Sequence, residues 1–282
     1  MGVDVPIEGG ATAVAAESAD LSDAVAVVTG AGTHLSGPGI GAACARLLAA
    51  GGAKVAIVDR DAEAADRTLA AIEAEGGAAA IFLGDVNEEE ACRETIAAVE
   101  DHLGLPSILV NNVGILGAPG TVVDVDLDGW DETMRVNVRT MVLMSRHCVP
   151  RMSARGGGSI VNLSSTAGLL GGYPTVAYGT SKGAIAQLTR LMAQHHGEAG
   201  VRVNAVAPGM VWTPMIADKI SPEMRDVRRR SSLLKTEGNA WDVAAAVSYL
   251  AGPAARWITG VVLAVDAGMS AAMALAPVEP LE

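Results

Sequence analysis

The sequence predicts an α/β fold in which a mainly parallel sheet is doubly wound, with helices on both faces. Three observations carry this. Short runs rich in Val and Ile alternate with longer Ala-rich stretches along the chain, the order that builds βαβ units. The short runs are apolar throughout instead of alternating, as strands buried on both faces must be. The first run also feeds through a glycine-rich turn straight into the first helical stretch, and glycine marks a place where the backbone must turn sharply.

The elements follow in order. Ala24 to Thr29 (AVAVVT) reads as a buried strand, Ile40 to Ala50 as a helix, and Lys54 to Asp59 (KVAIVD) as the second strand. Ala62 to Glu75 is helical by its apolar spacing. Ala79 to Leu83 is strand, Glu88 to His102 helix, and Ile108 to Asn111 strand. A long helix is predicted from about Asp128 to Ser153, followed by the strand Ser159 to Leu163. A second long helix runs from about Thr175 to Gly197. Val201 to Val206 is strand, Trp241 to Leu250 helix, and Val261 to Val265 the last strand. No repeat and no Pro, Gly or Ser-rich linker divides the chain. One domain is expected over 23–270, with a flexible tail over 1–22 and a short C-terminal tail over 271–282.

Composition narrows the function. The chain has 282 residues and a net charge of -12, the opposite of the basic surface that nucleic acid selects. Its apolar runs break well before the roughly 18 residues of a membrane span. The first twenty residues lack the basic start and continuous apolar core of a secretory signal. Three cysteines, Cys44, Cys92 and Cys148, cannot all pair within one chain, which points to a reducing, cytoplasmic setting. No His, Cys or acidic spacing suits a metal. A small molecule is the expected ligand.

The turn after the first strand runs from Thr29 and Gly30 to Gly39, Ile40 and Gly41, where a helix begins. Glycines let the backbone approach a pyrophosphate, and the helix N-terminus offers it free N–H groups. Asp59 ends the second strand, eighteen residues after Gly41. An acidic residue near that spacing binds adenosine ribose hydroxyls and repels a 2′-phosphate, so NAD is expected over NADP. A helix-capping Asp would occupy the same place, and Arg60 beside it softens the preference.

Tyr178 and Lys182 lie four apart on one predicted helix face. Ser165 precedes Tyr178 by thirteen residues. Moving a hydride to or from a carbon that bears oxygen needs a proton donor or base beside it. A free phenol, with a pKa of about 10, suits neutral pH poorly. An ammonium at ~4 Å and an effective dielectric of ~20 is worth ~4 kcal/mol, about three pK units. The pair is therefore expected to bring the phenol near 7, with Ser165 holding the substrate oxygen.

Taken together these segments resemble the short-chain dehydrogenase/reductase family in its single-domain branch. The matches are Thr29-Gly30, Gly39-Ile40-Gly41, Asp59, Asp85-Val86, Asn111-Asn112-Val113-Gly114, Asn137, Ser164-Ser165, Tyr178 to Lys182, Pro208-Gly209 and Thr213, in order over residues 23 to 270. The resemblance implies a three-layer Rossmann fold with seven strands and an NAD-dependent exchange of a secondary alcohol and its ketone. It implies Ser165, Tyr178 and Lys182 as a catalytic triad, completed by Asn137 through a water that links Lys182 to solvent. Lys182 would also hold the nicotinamide ribose. Asp85 and Val86 would contact adenine, and Asn112 and Gly114 would line the adenosine side. The backbone of Val211 and the hydroxyl of Thr213 would hold the carboxamide and phosphate. Asn111 reads as a structural link between strands, and Ser164 is the rival to Ser165.

The sequence departs from the family in the glycine turn, where Ala31 to Pro38 separate Gly30 from Gly39, more than the family's usual three residues. A surface bulge is expected there. Residues 211–235 should form a substrate lid, with Trp212, Met215, Ile216 and Met224 as an apolar wall. Arg225, Arg228, Arg229 and Arg230 in it are either a solvated face or receivers of a carboxylate or carrier phosphate. A 3-oxoacyl-carrier reductase using NADPH is the rival activity, opposed by Asp59. Enoyl reductases space Tyr and Lys farther apart. A nucleotide-sensing protein without catalysis would lack the Tyr or Lys. The two long helices carry Met141, Met144, Leu188 and Leu191 at spacings of three, on faces expected to point outward. In the resembling family such helices pair across a twofold axis, so a homotetramer is expected.

Overall fold

The computed structural model describes residues 20–217 and 219–271. The expected tails thus fall almost entirely outside the described residues. Leu21 is already buried and its N–H donates to the Gly51 carbonyl at 2.9 Å, so the packed domain begins before the expected boundary at 23.

Seven strands form one sheet: β1 (Val25–Thr29), β2 (Lys54–Asp59), β3 (Ala78–Leu83), β4 (Ile108–Asn111), β5 (Gly158–Leu163), β6 (Val201–Pro208) and β7 (Val262–Val265). Their order is β7-β6-β5-β4-β1-β2-β3, and every neighbouring pair is parallel. The chain winds outward from β1 to β3 and then returns to start β4 on the other side of β1. That reversal opens a crevice at the C-terminal ends of β1 and β4, where such folds bind ligands.

The helices are α1 (Ile40–Ala50), α2 (Ala62–Ala74), α3 (Glu89–Leu103), α4 (Leu127–Met134), α5 (Thr140–Ala154), α6 (Val176–His196), α7 (Pro214–Ala217), α8 (Pro222–Ser231) and α9 (Ala240–Ala251). They cover both faces. Ala26 and Val28 of β1 point into one core with α1, α2 and α9. Val25 and Val27 point into the other with α3, α5 and α6. This explains why the strands read as continuous apolar runs.

Two findings differ from the sequence reading. The helix expected over 128–153 is broken by a π-helical turn at Arg135–Arg139, the kind of insertion that marks functional sites. Met141 and Met144 do not face outward: both are buried, and Met144 packs in the core beneath its own helix. Of the outer-face residues, Leu191 is exposed, with Val142 on the other long helix.

The expected bulge is a small hairpin. Thr33–His34 pairs antiparallel with Gly37–Pro38, with Leu35 at its exposed tip. The hairpin is tied to α2. The Thr33 and Thr68 hydroxyls are 2.8 Å apart, and Arg67 Nε donates to the Thr33 carbonyl at 2.7 Å.

Candidate active site

Gly30 turns the chain out of β1 with φ 61°, a conformation that favours glycine. Gly41 lies beneath that turn. A Cβ there would come 2.2 Å from the Gly30 carbonyl oxygen, so glycine alone lets α1 start so close. Gly39 caps α1 with open space before it and no side chain bonded to the helix end. Free N–H groups of Ile40 and its neighbours can therefore receive a pyrophosphate. Asn112 fastens the turn from β4: its Nδ2 donates to the carbonyls of Thr29 at 3.1 Å and Gly30 at 3.0 Å.

Asp59 stands beside this turn. Its carboxylate accepts from the Gly32 N–H at 2.7 Å and the Asp61 N–H at 3.1 Å. Asp85 stays ionised. The Asn87 backbone N–H, its side-chain amide and the charges of Arg60 and Arg135 hold that carboxyl below its ordinary range. Val86 beside it is buried. A tight turn, an open helix end and a carboxylate one strand away fit a dinucleotide. A Cβ on Gly114 would lie 3.2 Å from Asn137 Oδ1 and 3.4 Å from Lys182 Nζ, so the backbone there runs close to the acid–base cluster.

That cluster forms where α6 crosses the end of β5. Tyr178 and Lys182 project from one face of α6, and Ser165 follows β5. Burial pushes the Tyr178 phenol up to about 12, and a hydrogen bond with Ser165 draws it partly back. Ser164 is engaged differently, donating to the Lys182 carbonyl at 2.8 Å. Lys182 Nζ donates to the Leu163 carbonyl at 2.9 Å and lies 5.7 Å from the centre of the Tyr178 ring. Burial pulls its ammonium down to about 8. The expectation that Lys182 brings the phenol near 7 is therefore not met in this arrangement. Both groups are desolvated, and desolvation outweighs their mutual field.

Asn137 is fully buried in the π turn. Its Oδ1 accepts from the Ile115 N–H at 2.7 Å, and its Nδ2 donates to the Ile115 carbonyl at 3.0 Å and to Ser181 Oγ at 2.9 Å. Asn111 links β4 to β5 by donating to Asn162 Oδ1 at 2.9 Å.

A cavity of about 920 Å³ opens over Ser165, Tyr178 and Lys182. Met215 and Ile216 line it, as expected of the lid, whereas Trp212 lies under Arg225 at 3.8 Å and Met224 is exposed. Val211 and Thr213 border it. The Val211 carbonyl accepts from Arg228 Nη2 at 3.2 Å, and the Thr213 carbonyl begins α7 by accepting from Ile216 and Ala217. Tyr173, which no spacing singled out, packs against Tyr178 with ring centres 4.8 Å apart. Its only sequence signal was its rarity, as one of three tyrosines.

Comparison with known proteins agrees with this geometry. A family model described as Enoyl-(Acyl carrier protein) reductase matches residues 35–270. Galactitol 2-dehydrogenase (L-tagatose-forming) of Cereibacter sphaeroides is 42% identical, covering 88% of this chain and 95% of its own. 2-(S)-hydroxypropyl-CoM dehydrogenase 3 of Xanthobacter autotrophicus is 38% identical, covering 89% and 98%. A 7α-hydroxysteroid dehydrogenase solved with NADH and 7-oxo glycochenodeoxycholic acid superposes with a TM-score of 0.84 at 31% identity, covering 89% of this chain and 96% of that one. Likeness of this extent makes the chain an oxidoreductase that takes a nicotinamide cofactor, and a member of the short-chain dehydrogenase/reductase family.

Proposed function

We propose that the protein is an NAD-dependent dehydrogenase that interconverts a secondary alcohol and its ketone, with Tyr178 as acid and base. The observation that carries this is that Ser165, Tyr178 and Lys182 line one cavity, with Tyr178 and Lys182 a helical turn apart on α6. In oxidation Tyr178 takes the hydroxyl proton while Ser165 holds the oxygen. In reduction the neutral phenol returns that proton. Lys182 holds the nicotinamide ribose and lends positive charge to the phenolate. Asn137 fixes the Ile115 backbone and supports the water path from Lys182 to solvent. When bound, the nicotinamide supplies the acceptor or donor of the hydride.

Gly30, Gly39, Ile40 and Gly41 hold the pyrophosphate in this reading, Asp85 and Val86 the adenine, and Val211 and Thr213 the carboxamide end. Asp59 favours NAD by its charge, and the neighbour solved with NADH agrees. The family model's description favours a second reading, an enoyl reductase. The four-residue spacing of Tyr178 and Lys182 opposes it. One assay separates the two: NADH formation from NAD with a panel of secondary alcohols, diols and hydroxy acids, against NADH consumption with an enoyl thioester. Turnover of the thioester alone overturns the dehydrogenase reading. Faster reduction of a 3-oxoacyl thioester with NADPH would favour the carrier reductase.

The same reading includes a homotetramer. Val142 and Leu191 remain exposed on the long helices, Leu263 on the edge strand β7 is exposed with Val261 just before it, and Trp257 in the preceding turn is almost fully exposed. Apolar groups of this kind favour symmetric burial. A light-scattering mass near the monomer's 28.6 kDa would sink it. The three cysteines are buried and unpaired, in keeping with a cytoplasmic setting.

A further inference from the structure

The chain holds 32 acidic and 20 basic residues. Yet among the described residues lining the large cavity none is acidic and four are basic: Lys182, Arg228, Arg230 and Lys235. Lys182 is engaged at the Leu163 carbonyl beside Tyr178. The other three come from the segment between Val211 and Glu237, which has six Lys and Arg against four Asp and Glu. Locally the sign of the protein's charge is reversed.

Two carboxylates of this segment are each shared between two arginines. Glu237, with a side chain 7% exposed, lies 2.7 Å from Arg225 and 3.5 Å from Arg228. Asp226 serves both Arg229 and Arg230. Lys235 pairs with no carboxylate among the described residues, and its ammonium donates to the Arg230 carbonyl. Its backbone is held at φ 55°, where a side chain is rarely at ease. Arg228 is mostly buried, and its Nε has no hydrogen-bond partner. Arg230 and Lys235 are exposed, but Arg228 is withdrawn from water with only a shared carboxylate beside it, which is costly, and an incoming anion offsets that cost.

Other walls of the cavity are apolar, built from Ile115, Leu116, Leu170, Met215 and Ile216. Tyr173 connects its two ends. Its ring packs on Tyr178 and its phenol lies within the field of the Arg228 guanidinium. The cavity thus has an acid–base end, an apolar body and a cationic end.

We infer, resting on the dehydrogenase reading, that the substrate is an amphipathic hydroxy compound whose anionic end, a carboxylate or phosphate, is received by Arg228, Arg230 and Lys235. The cofactor pyrophosphate is the other anion that these cations could serve, and the test separates the two. The full chain loaded with NADH is titrated calorimetrically with three non-reacting probes: cyclohexanecarboxylate, cyclohexyl phosphate and methyl cyclohexanecarboxylate. At least one anion should bind roughly tenfold more tightly than the neutral ester, as charge-assisted bonds require. Arg228→Gln and the double variant Arg230→Gln/Lys235→Gln should each reduce that preference, with NADH affinity of the double variant held within about twofold. Equal or weaker binding of both anions overturns the inference. So does a preference that survives in both variants, or a double variant that loses NADH affinity while keeping the preference. Turnover is read separately. An anion preference without NAD reduction by any alcohol sinks the dehydrogenase reading alone.

Discussion

Between Thr29 and Asn112 the turn that we assign to the cofactor is fixed by contacts to its backbone. Gly41 lies against the Gly30 carbonyl, Asn112 bonds two carbonyls, and Asp59 takes the Gly32 N–H. Between Val211 and Glu237 the segment that we assign to the substrate is held by ion pairs of α8, among themselves and with the buried Glu237. The first region cannot replace Gly30 or Gly41 without losing its shape. In the second, the exposed pairs of Asp226 with Arg229 and Arg230 can be exchanged for others at little cost. A cofactor common to many reactions suits the first, and a substrate particular to one suits the second.

Tyr178→Phe is the largest test of that division. The chemistry should fail and the cofactor region should not notice. A loss of roughly hundredfold or more in kcat is expected, with NADH affinity unchanged by fluorescence titration. The pH profile carries a sign. Burial keeps the phenol protonated up to about 12, so oxidation, which needs the phenolate, should quicken as pH rises. Reduction, which needs the phenol, should stay flat until Lys182 begins to lose its proton near 8. Wild-type turnover in the Phe variant would remove Tyr178 from the mechanism.

The sequence made the cofactor region legible because its constraints are steric and local. A left-handed turn demands Gly30, contact demands Gly41, and buried strands demand continuous apolar runs. The acid–base residues were legible through spacing, since Tyr178 and Lys182 share a helix face. Their energetics were not, because desolvation depends on what the fold packs around them. The closeness of Gly114 to Asn137 and Lys182 was hidden for a related reason: both lie far off in sequence. The π turn left only an Asn in mid-helix as its mark. Met141 and Met144 show the limit of periodicity, which marks an apolar face without saying whether core or partner covers it.

Lys182→Met sharpens the comparison through stability. Burial lowers this lysine from 10.5 to about 8. Between those values the unfolded chain binds more protons than the folded one, so stability rises with pH through that window. Below about 8 the cost of the buried cation is fully present. The variant should therefore be more stable than wild type at pH 7, by up to about 3 kcal/mol less the cost of the stranded Leu163 carbonyl, while activity collapses. The advantage should shrink toward pH 10. Denaturant melts at both pH values check this, and a variant less stable than wild type at pH 7 would show that the Leu163 bond outweighs desolvation.

Asp59→Asn tests the cofactor region by charge alone, since the amide oxygen can still accept from the Gly32 N–H. The ratio of kcat/KM for NAD over NADP should fall by roughly tenfold, one carboxylate–phosphate repulsion at short range. Asp59→Ala would confuse the result by freeing the turn as well. An unchanged ratio in the Asn variant would assign the preference to some other group.

The smallest effect on function belongs to the hairpin that lengthens the glycine turn. Thr68 is fully buried and holds it from α2, donating to the Ala31 carbonyl at 2.7 Å and meeting the Thr33 hydroxyl at 2.8 Å. Thr68→Val keeps the shape and strands a buried carbonyl, a loss of about 1–2 kcal/mol in stability. The groups we assign to the phosphates, Gly39 and the start of α1, lie beyond the hairpin, next to the turn that Gly41 and Asn112 fix. NADH affinity should accordingly fall by less than about threefold, near 0.6 kcal/mol. His34→Ala, at an exposed position, should change neither quantity. If Thr68→Val abolishes NADH binding while the protein stays folded, the hairpin is part of the grip on the cofactor. The division between a region fixed by backbone and one tuned by side chains would then fail within the glycine turn itself.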